Sequence, residues 1–170
     1  QRVNTAFSET NPYAIRNTDA SHLRSTEFQV AAFQFRERRL LFSLAQRLRG
    51  HIKEGKSAYE AGLICQTHML ALAEAFVERI TLEATTKAVN EAEGTSIYNI
   101  LRKLRSLYAL HTIEKHAAWY LEQDYLAGTK SKAIRRQVDQ LCGELRPEAV
   151  ALVEAFGIPE SLIAAPIVMD

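Results

Sequence analysis

Glycine and proline are rare in this chain and stand at a few joints, which constrains it to long helices. The 170 residues include 7 glycines and 4 prolines. Between these joints, apolar residues recur three and four positions apart, which is the period of one face of an α-helix. Because glycine and proline are the residues that most often interrupt regular structure, the pattern predicts an all-α bundle of four to five helices.

The first long helix is expected from about Ser25 to Lys53, because apolar side chains such as Phe33, Leu40 and Leu44 follow one helical stripe there. Glu37 falls inside this stripe. A buried acid of a functional site is one interpretation. A structural ion pair with an arginine on a neighbouring helix is the favoured alternative, because buried carboxylates are usually paired.

A second long helix is expected to follow Gly55 and to run to about Val89. Ser57 and Glu60 have the spacing of a capping box, in which each side chain binds a free amide of the first turn. Apolar residues occupy nearly every side of this helix, which predicts a central position in the bundle. His68 lies on its narrow polar side and is interpreted as a hydrogen-bonded core histidine rather than as a ligand or a proton carrier.

A third helix is expected after Gly94, with Thr95 or Ser96 as its N-cap. Its apolar stripe moves to a different side near residues 108–111, so either the helix bends or its second half meets another neighbour. We expect this second stripe to contact another domain or subunit. The candidate interface consists of Leu110, Ile113, Ala117 and Leu121.

Gly128 is expected to close the third helix, and a fourth is expected from Lys130 to about Glu144, with Ile134, Val138 and Leu141 facing inward. The stretch LRPEAVALVEAF follows it. Pro147 suits the first helical position and Gly157 suits the position just past the end, so local chemistry predicts a short capped amphipathic helix. Residues 1–24 are polar and rich in turn residues, which indicates an extended arm or linker ahead of a helical domain over 25–170.

The charge balance excludes several functions. A formal net charge of +1 lacks the basic excess of a dedicated nucleic-acid-binding protein, and no apolar run reaches the ~18 residues that a membrane span needs. Two distant cysteines, Cys65 and Cys142, are expected to be reduced core thiols. The chain does not begin with Met, so it is read as internal to a longer protein or as processed.

No complete active site is visible in the sequence. Glycines are isolated, no Cys/His set has zinc spacing, and the Glu-x-x-His pairs of di-iron bundles do not occur. Three basic clusters remain: residues 36–39, 102–105 and 130–136. The usual interpretation of each is a solvated or salt-bridged helix face. The third begins a helix, whose dipole attracts anions, so the candidate anion contacts are Lys130, Lys132, Arg135 and Arg136.

Four segments, in this order and at these spacings, resemble one known family: EFQVAAFQFRERRLL at 27–41, LRSLYAL at 104–110, WYLE at 119–122 and LRPEAVALVEAFGIP at 145–159. Together they are similar to the C-terminal helical domain of acyl-CoA oxidases and of the oxidase-like branch of bacterial acyl-CoA dehydrogenases. The resemblance covers roughly residues 25–165. Neither the electron acceptor nor the acyl chain length follows from it.

The resemblance implies an FAD-dependent enzyme that converts fatty acyl-CoA to trans-2-enoyl-CoA, with its flavin and catalytic domains upstream of this chain. No catalytic, cofactor-binding or metal-binding residue is carried over to these 170 positions. The implied roles are packing on the upstream domains, support of a homodimer and walling of the acyl-CoA and flavin cleft. Because no Ser-Lys-Leu ending is present, a bacterial cytoplasmic location is expected, with a clipped chain as the alternative. A freestanding ligand-sensing or interaction module is the alternative, and a nucleic-acid-associated bundle is a weaker one.

Overall fold

A computed structural model describes residues 15–159, and within this range the chain is helical with no strand. Four long helices dominate: α2 (Thr26–Lys53), α4 (Gln66–Glu91), α5 (Tyr98–Lys115) and α7 (Gly128–Leu145). Short helices lie between and beside them: α1 (Ala20–Leu23), α3 (Ala58–Ile64), α6 (Ala117–Glu122), a 3₁₀ turn (Arg146–Glu148) and α8 (Ala149–Glu154). The predicted all-α class is confirmed.

The long helices form a bundle in which α2 packs on α4 and α5, and α5 packs on α4 and α7. The core lies where α2, α5 and α7 meet. Phe28, Phe33, Leu110, Ile134 and Leu141 contribute to it. Because α7 turns Ile134, Val138 and Leu141 inward, the stripe expected for the fourth helix is confirmed.

Local signals placed several helix ends correctly. The Ser57 hydroxyl accepts a hydrogen bond from the Glu60 amide, and the Glu60 carboxylate accepts one from the Ser57 amide, so the capping box is present. Gly55, Gly94 and Gly157 all have positive φ angles, which suit a glycine at a joint because it has no Cβ to clash. Ser25 is the N-cap of α2 and accepts from the Phe28 amide.

Four expected boundaries are wrong. The second long helix is interrupted at Cys65 (φ −92°, ψ 5°), and the third at His116 (φ −102°, ψ 18°). The third begins at Tyr98 with Ile97 as an N-cap without a side-chain bond, rather than at Thr95 or Ser96. Gly128 begins α7 instead of closing an element. The bend at His116 accounts for part of the change of side in the apolar stripe.

The arm expected over residues 1–24 is corrected in its second half. Residues 1–14 lie outside the described range, but Ala20–Leu23 form α1 and pack on α7. Leu23 is fully buried, and its carbonyl accepts a hydrogen bond from Gln29 Nε2 at 3.0 Å. Arg24 reaches Glu144 of α7 at 2.9 Å. The segment just before α2 is therefore part of the folded bundle.

An aromatic cluster joins α2 to the α6 region. Phe35 stacks on Tyr125 at 4.3 Å between ring centroids, and Trp119 meets Tyr120 edge to face at 5.2 Å. The Tyr120 hydroxyl donates to the Ala32 carbonyl at 3.0 Å. Such ring pairs add to the stability that burial alone provides, so α6 is fixed against α2 although it has only one and a half turns.

Candidate functional site

The densest set of ionisable side chains joins α2, α4 and α5. Arg36 donates to Glu78 at 2.5 Å and lies 3.4 Å from Glu74. Lys115 donates to Glu74 at 2.6 Å and to Glu78 at 3.3 Å, and His116 Nε2 lies 3.0 Å from Glu78. Two carboxylates are thus surrounded by two permanent cations and one imidazole.

This network has the ligand types of a metal site but the charge balance of an ion-pair network. Ligand atoms of Glu74, Glu78 and His116 lie within 4.8 Å of one another. Arg36 and Lys115 already compensate both carboxylates, however. The hydrogen bond from Lys115 lowers the pKa of Glu74, and the same bond raises the pKa of Lys115. A metal ion would have to displace two bound cations, so we interpret the network as a set of ion pairs that holds α2, α4 and α5 together.

Sequence reasoning missed this network because its partners are far apart in the chain. Glu78 and His116 are 38 residues apart, and Arg36 and Glu78 are 42 apart. Glu74 and Glu78 are separated by four positions and therefore share one helix face. That spacing was the one feature of the sequence that could have indicated the network.

Glu37 and His68 have the structural roles that the sequence favoured. Glu37 forms an ion pair with Arg79 of α4, and hydrogen bonding to Glu37 raises the pKa of Arg79. His68 Nε2 lies 3.1 Å from the Leu40 carbonyl, and its Nδ1 lies 3.2 Å from Arg47 Nη1. Both side chains connect α2 to α4, although His68 is half-buried rather than in the core.

The candidate anion contacts on α7 do not form one site. Lys130 is buried, with its Nζ 3.0 Å from His22 Nε2 and 3.9 Å from the centre of the Phe28 ring. Arg135 is paired with Glu114 at 2.9 Å. Lys132 and Arg136 are exposed. Lys130 therefore lies on the inner side of α7, apart from the other three, which lie on its outer side, and Arg135 is already paired.

The candidate interface on the third helix is corrected for two of its four residues. Leu110 and Ile113 are fully buried in the core of this chain, so neither side chain has surface left for a partner. Ala117 is half-buried and Leu121 is exposed. The pattern alone could not distinguish a stripe facing α7 from a stripe facing a partner.

The apolar surface lies instead on α4. The expectation of a central helix is wrong, because only Ala75, Leu82 and Val89 of α4 are buried. The opposite side is exposed, with Leu70 at 64% and Val77 at 60% of their full accessibility. We call this surface the α4 face, and it consists of Met69, Leu70, Phe76, Val77 and Ile80.

Other exposed apolar residues lie near the end of the described range. Val150, Val153 and Phe156 of the LRPEAVALVEAF stretch are all exposed, so the predicted amphipathic helix has no partner for its apolar side among residues 15–159.

Cys65 is buried and Cys142 is exposed, and neither forms a disulfide. The expectation of a core position is therefore wrong for Cys142. No helix of the described range is long and apolar enough to cross a lipid bilayer.

A scan against protein-family models matches residues 25–169 to the acyl-CoA oxidase family. The chain belongs to the acyl-CoA oxidase family. It is 36% identical over 170 residues to acyl-coenzyme A oxidase 2, peroxisomal, of Arabidopsis thaliana, and this match covers all of the chain but 24% of the relative. It is 31% identical over 141 residues to human peroxisomal acyl-coenzyme A oxidase 3, covering 81% of the chain and 20% of the relative.

Solved acyl-CoA oxidases have the same helical fold. The structure of acyl-CoA oxidase 1 from Yarrowia lipolytica matches with a TM-score of 0.82 and 25% identity, over 91% of this chain and 22% of that one. The chain thus corresponds to a helical part, about a quarter of the length, of the larger proteins it resembles. The dehydrogenase branch and the freestanding module are not favoured.

The expected bacterial cytoplasmic location is wrong. The relatives from Arabidopsis thaliana and human are named as peroxisomal proteins. The expectation depended on the last residues of the sequence, and a segment that spans a quarter of its relatives does not report on their targeting signals.

Proposed function

We propose that this chain is the C-terminal helical domain of an FAD-dependent acyl-CoA oxidase, and that it packs on the upstream flavin and catalytic domains of the same polypeptide. Membership of the family supports the first part. The α4 face supports the second, because contiguous exposed apolar surface of this kind marks an interaction site. The upstream domains can cover the α4 face, since about three quarters of the length of the Arabidopsis thaliana relative lies outside the matched segment.

Bound FAD would supply the hydride acceptor for the β-carbon of a fatty acyl-CoA and would pass the electrons on to oxygen. The residues described here are not assigned to that chemistry. The network around Glu78 is compensated by its own cations, and no glycine-rich dinucleotide loop occurs in the sequence. The contribution of this chain is structural: it presents a rigid apolar surface, supports a homodimer and helps to wall the acyl-CoA cleft.

The fold holds α4 rigidly, which suits it to docking on other domains. Three ionic connections hold α4 against α2 and α5: Glu37 with Arg79, Glu78 with Arg36, and Glu74 with Lys115. These connections lie towards the inner side of α4, and the Arg79 guanidinium also lies 5.4 Å from the ring centre of Phe76 at the edge of the α4 face. A helix fixed in this way loses little further backbone entropy when its five apolar side chains dock.

The test is to isolate the native polypeptide with an antibody raised against this chain, and to record its intact mass and visible absorbance together. The proposal expects a mass several times the 19.2 kDa of this segment, with a flavin spectrum and acyl-CoA-dependent hydrogen peroxide production. A native product of 19.2 kDa without flavin would overturn it and would favour the freestanding module.

A further inference from the structure

A polar cavity of about 510 Å³ lies where α1 and the start of α2 meet α5 and α7. Its volume is in the range of small-molecule sites. Hydroxyl groups and cations dominate its lining: Ser21, Arg24, Ser25, Thr26, Tyr98, Arg102, Lys103, Arg105 and Ser106, with Leu141 and Glu144. None of its lining residues belongs to α4, so the cavity is separate from the α4 face and from the network around Glu78.

Arg105 is the unusual residue of this cavity. It is only 4% exposed, yet its guanidinium contacts two neutral hydroxyls, Thr26 at 2.5 Å and Ser106 at 3.3 Å. Its Nε has no hydrogen-bond partner among residues 15–159. Burial lowers the pKa of Arg105, and the nearby charge of Arg102 lowers it further. A buried cation without a counter-ion is costly, so this site favours an anion.

Glu144 is the one carboxylate among residues 15–159 that lines the cavity, and it does not supply that charge. Glu144 binds Arg24 at 2.9 Å and Lys103 at 3.2 Å, and these contacts lower its pKa. Arg102 and Arg105 have no acidic partner within the described range. Four cations therefore line the cavity against one carboxylate, and two of the four are left uncompensated.

The start of α2 adds a second source of positive potential. This helix has 28 residues, and its N-cap Ser25 and first residue Thr26 both line the cavity. The first amides of a helix lack an internal acceptor, and the helix dipole places partial positive charge there. Arg105 is bound directly to Thr26, so the guanidinium and the helix terminus act on the same region.

We propose that this cavity binds a phosphate group carried by a small molecule. Arginine and helix amides are the donors that phosphate prefers, because its oxygens accept several hydrogen bonds at once. Serine and threonine hydroxyls provide further donors. A bare phosphate fills only part of 510 Å³, which leaves space beside Tyr98 for the rest of the molecule.

The sequence contained part of this site as the basic cluster at residues 102–105. Arg105 precedes the buried Ala109 by four positions and the buried Thr112 by seven, so helical spacing places it on the inner side of α5. The partners on α1 and α2 came from distant parts of the chain. The cluster at residues 130–136 had the stronger local signal, but Lys130 is buried on the inner side of α7 and Arg135 is paired with Glu114.

The experiment is a calorimetric titration of the full 170-residue chain with inorganic phosphate and with glycerol 3-phosphate. Arg102→Ala removes an exposed cation of the cavity, and Arg136→Ala removes an exposed cation of α7 as a matched control. We expect saturable binding of one ligand per chain, weakened at least tenfold by Arg102→Ala and changed less than twofold by Arg136→Ala. Thermal melting checks that both variants remain folded.

The two ligands distinguish how much of the cavity is used. Tighter binding of glycerol 3-phosphate means that the organic part of the ligand is also recognised, and equal binding means that the phosphate alone is recognised; both support the proposal. Absence of saturable binding by either ligand overturns it, as does an equal response of the two variants. The result is independent of the proposed function, since it requires neither flavin nor turnover.

Discussion

Arg36 of α2 donates to Glu78 of α4 at 2.5 Å, and the other carboxylate oxygen of Glu78 lies 3.0 Å from His116, where α5 ends. One carboxylate thus connects three helices. Arg36 is buried, and its Nε has no partner among residues 15–159. The Arg36 charge therefore depends on Glu78 and, more weakly, on Glu74.

Replacing Glu78 with glutamine should destabilise the fold. The substitution keeps the size of the side chain but removes the main counter-ion of a buried guanidinium, which costs about 2–4 kcal/mol. Urea denaturation measures the change in the free energy of unfolding. Glu91→Gln is the control, because Glu91 and Lys87 form an exposed pair 3.8 Å apart, and such pairs contribute at most about 1 kcal/mol. Equal effects of the two substitutions would show that the ion pairs of Glu78 do not hold the helices together.

Replacing Tyr120 with phenylalanine should cost about 1 kcal/mol, because the Ala32 carbonyl then loses its buried donor. The aromatic cluster should remain intact, since the ring is kept. Tyr59→Phe provides the control, as Tyr59 is exposed. The comparison is made by urea denaturation, and an unchanged midpoint for Tyr120→Phe would contradict the assigned hydrogen bond.

Because of Lys130, the free energy of unfolding of the chain should rise with pH in alkaline solution. Burial lowers the pKa of Lys130 to about 8, whereas the pKa of an unfolded lysine is about 10.4. Between these values the unfolded state binds more protons than the folded state, so the free energy of unfolding increases with pH.

The measurement compares the native chain with Lys130→Met from pH 7 to pH 10.5. The native chain should gain up to roughly 3 kcal/mol relative to the variant over this window, because one pKa unit corresponds to about 1.4 kcal/mol. The other ionisable groups are common to both proteins and cancel in the difference. A constant difference would mean that Lys130 stays protonated in the folded state.

Ile113→Asp should unfold the chain, whereas Leu121→Asp should leave it folded. Ile113 is fully buried in the core and Leu121 is exposed. An unpaired carboxylate in an apolar core costs several kcal/mol, while exposed substitutions change stability by about 0.5 kcal/mol or less. Circular dichroism melting curves distinguish the two. Normal melting of Ile113→Asp would restore Ile113 to the interface that the sequence indicated.

The sequence predicted those features that depend on near neighbours in the chain. The capping box of Ser57 and Glu60 spans three positions, and the stripe of Ile134, Val138 and Leu141 follows one helix face. Local chemistry decides both. The breaks at Cys65 and His116 lacked a glycine or proline signal, so helical periodicity continued through them.

Contacts between helices were the part that the sequence did not predict. The ion pair of Glu37 was expected in kind, but its partner Arg79 could not be chosen without the packing of α2 on α4. Burial of Leu110 and exposure of Val77 follow from the same packing. Both residues lie on apolar stripes. Because α7 packs beside α5, the stripe of Leu110 is covered, whereas no helix among residues 15–159 covers the stripe of Val77.

We propose that the α4 face is the surface that docks this domain on the rest of an acyl-CoA oxidase. Val77→Asp in the native polypeptide tests it, with Asn90→Asp as a control that adds the same charge to an exposed polar position of α4. Bound flavin per polypeptide and the thermal stability of the isolated 170-residue chain are measured for both. We expect Val77→Asp to lower flavin retention while the isolated chain melts normally, and Asn90→Asp to change neither. Full flavin retention in Val77→Asp would contradict it.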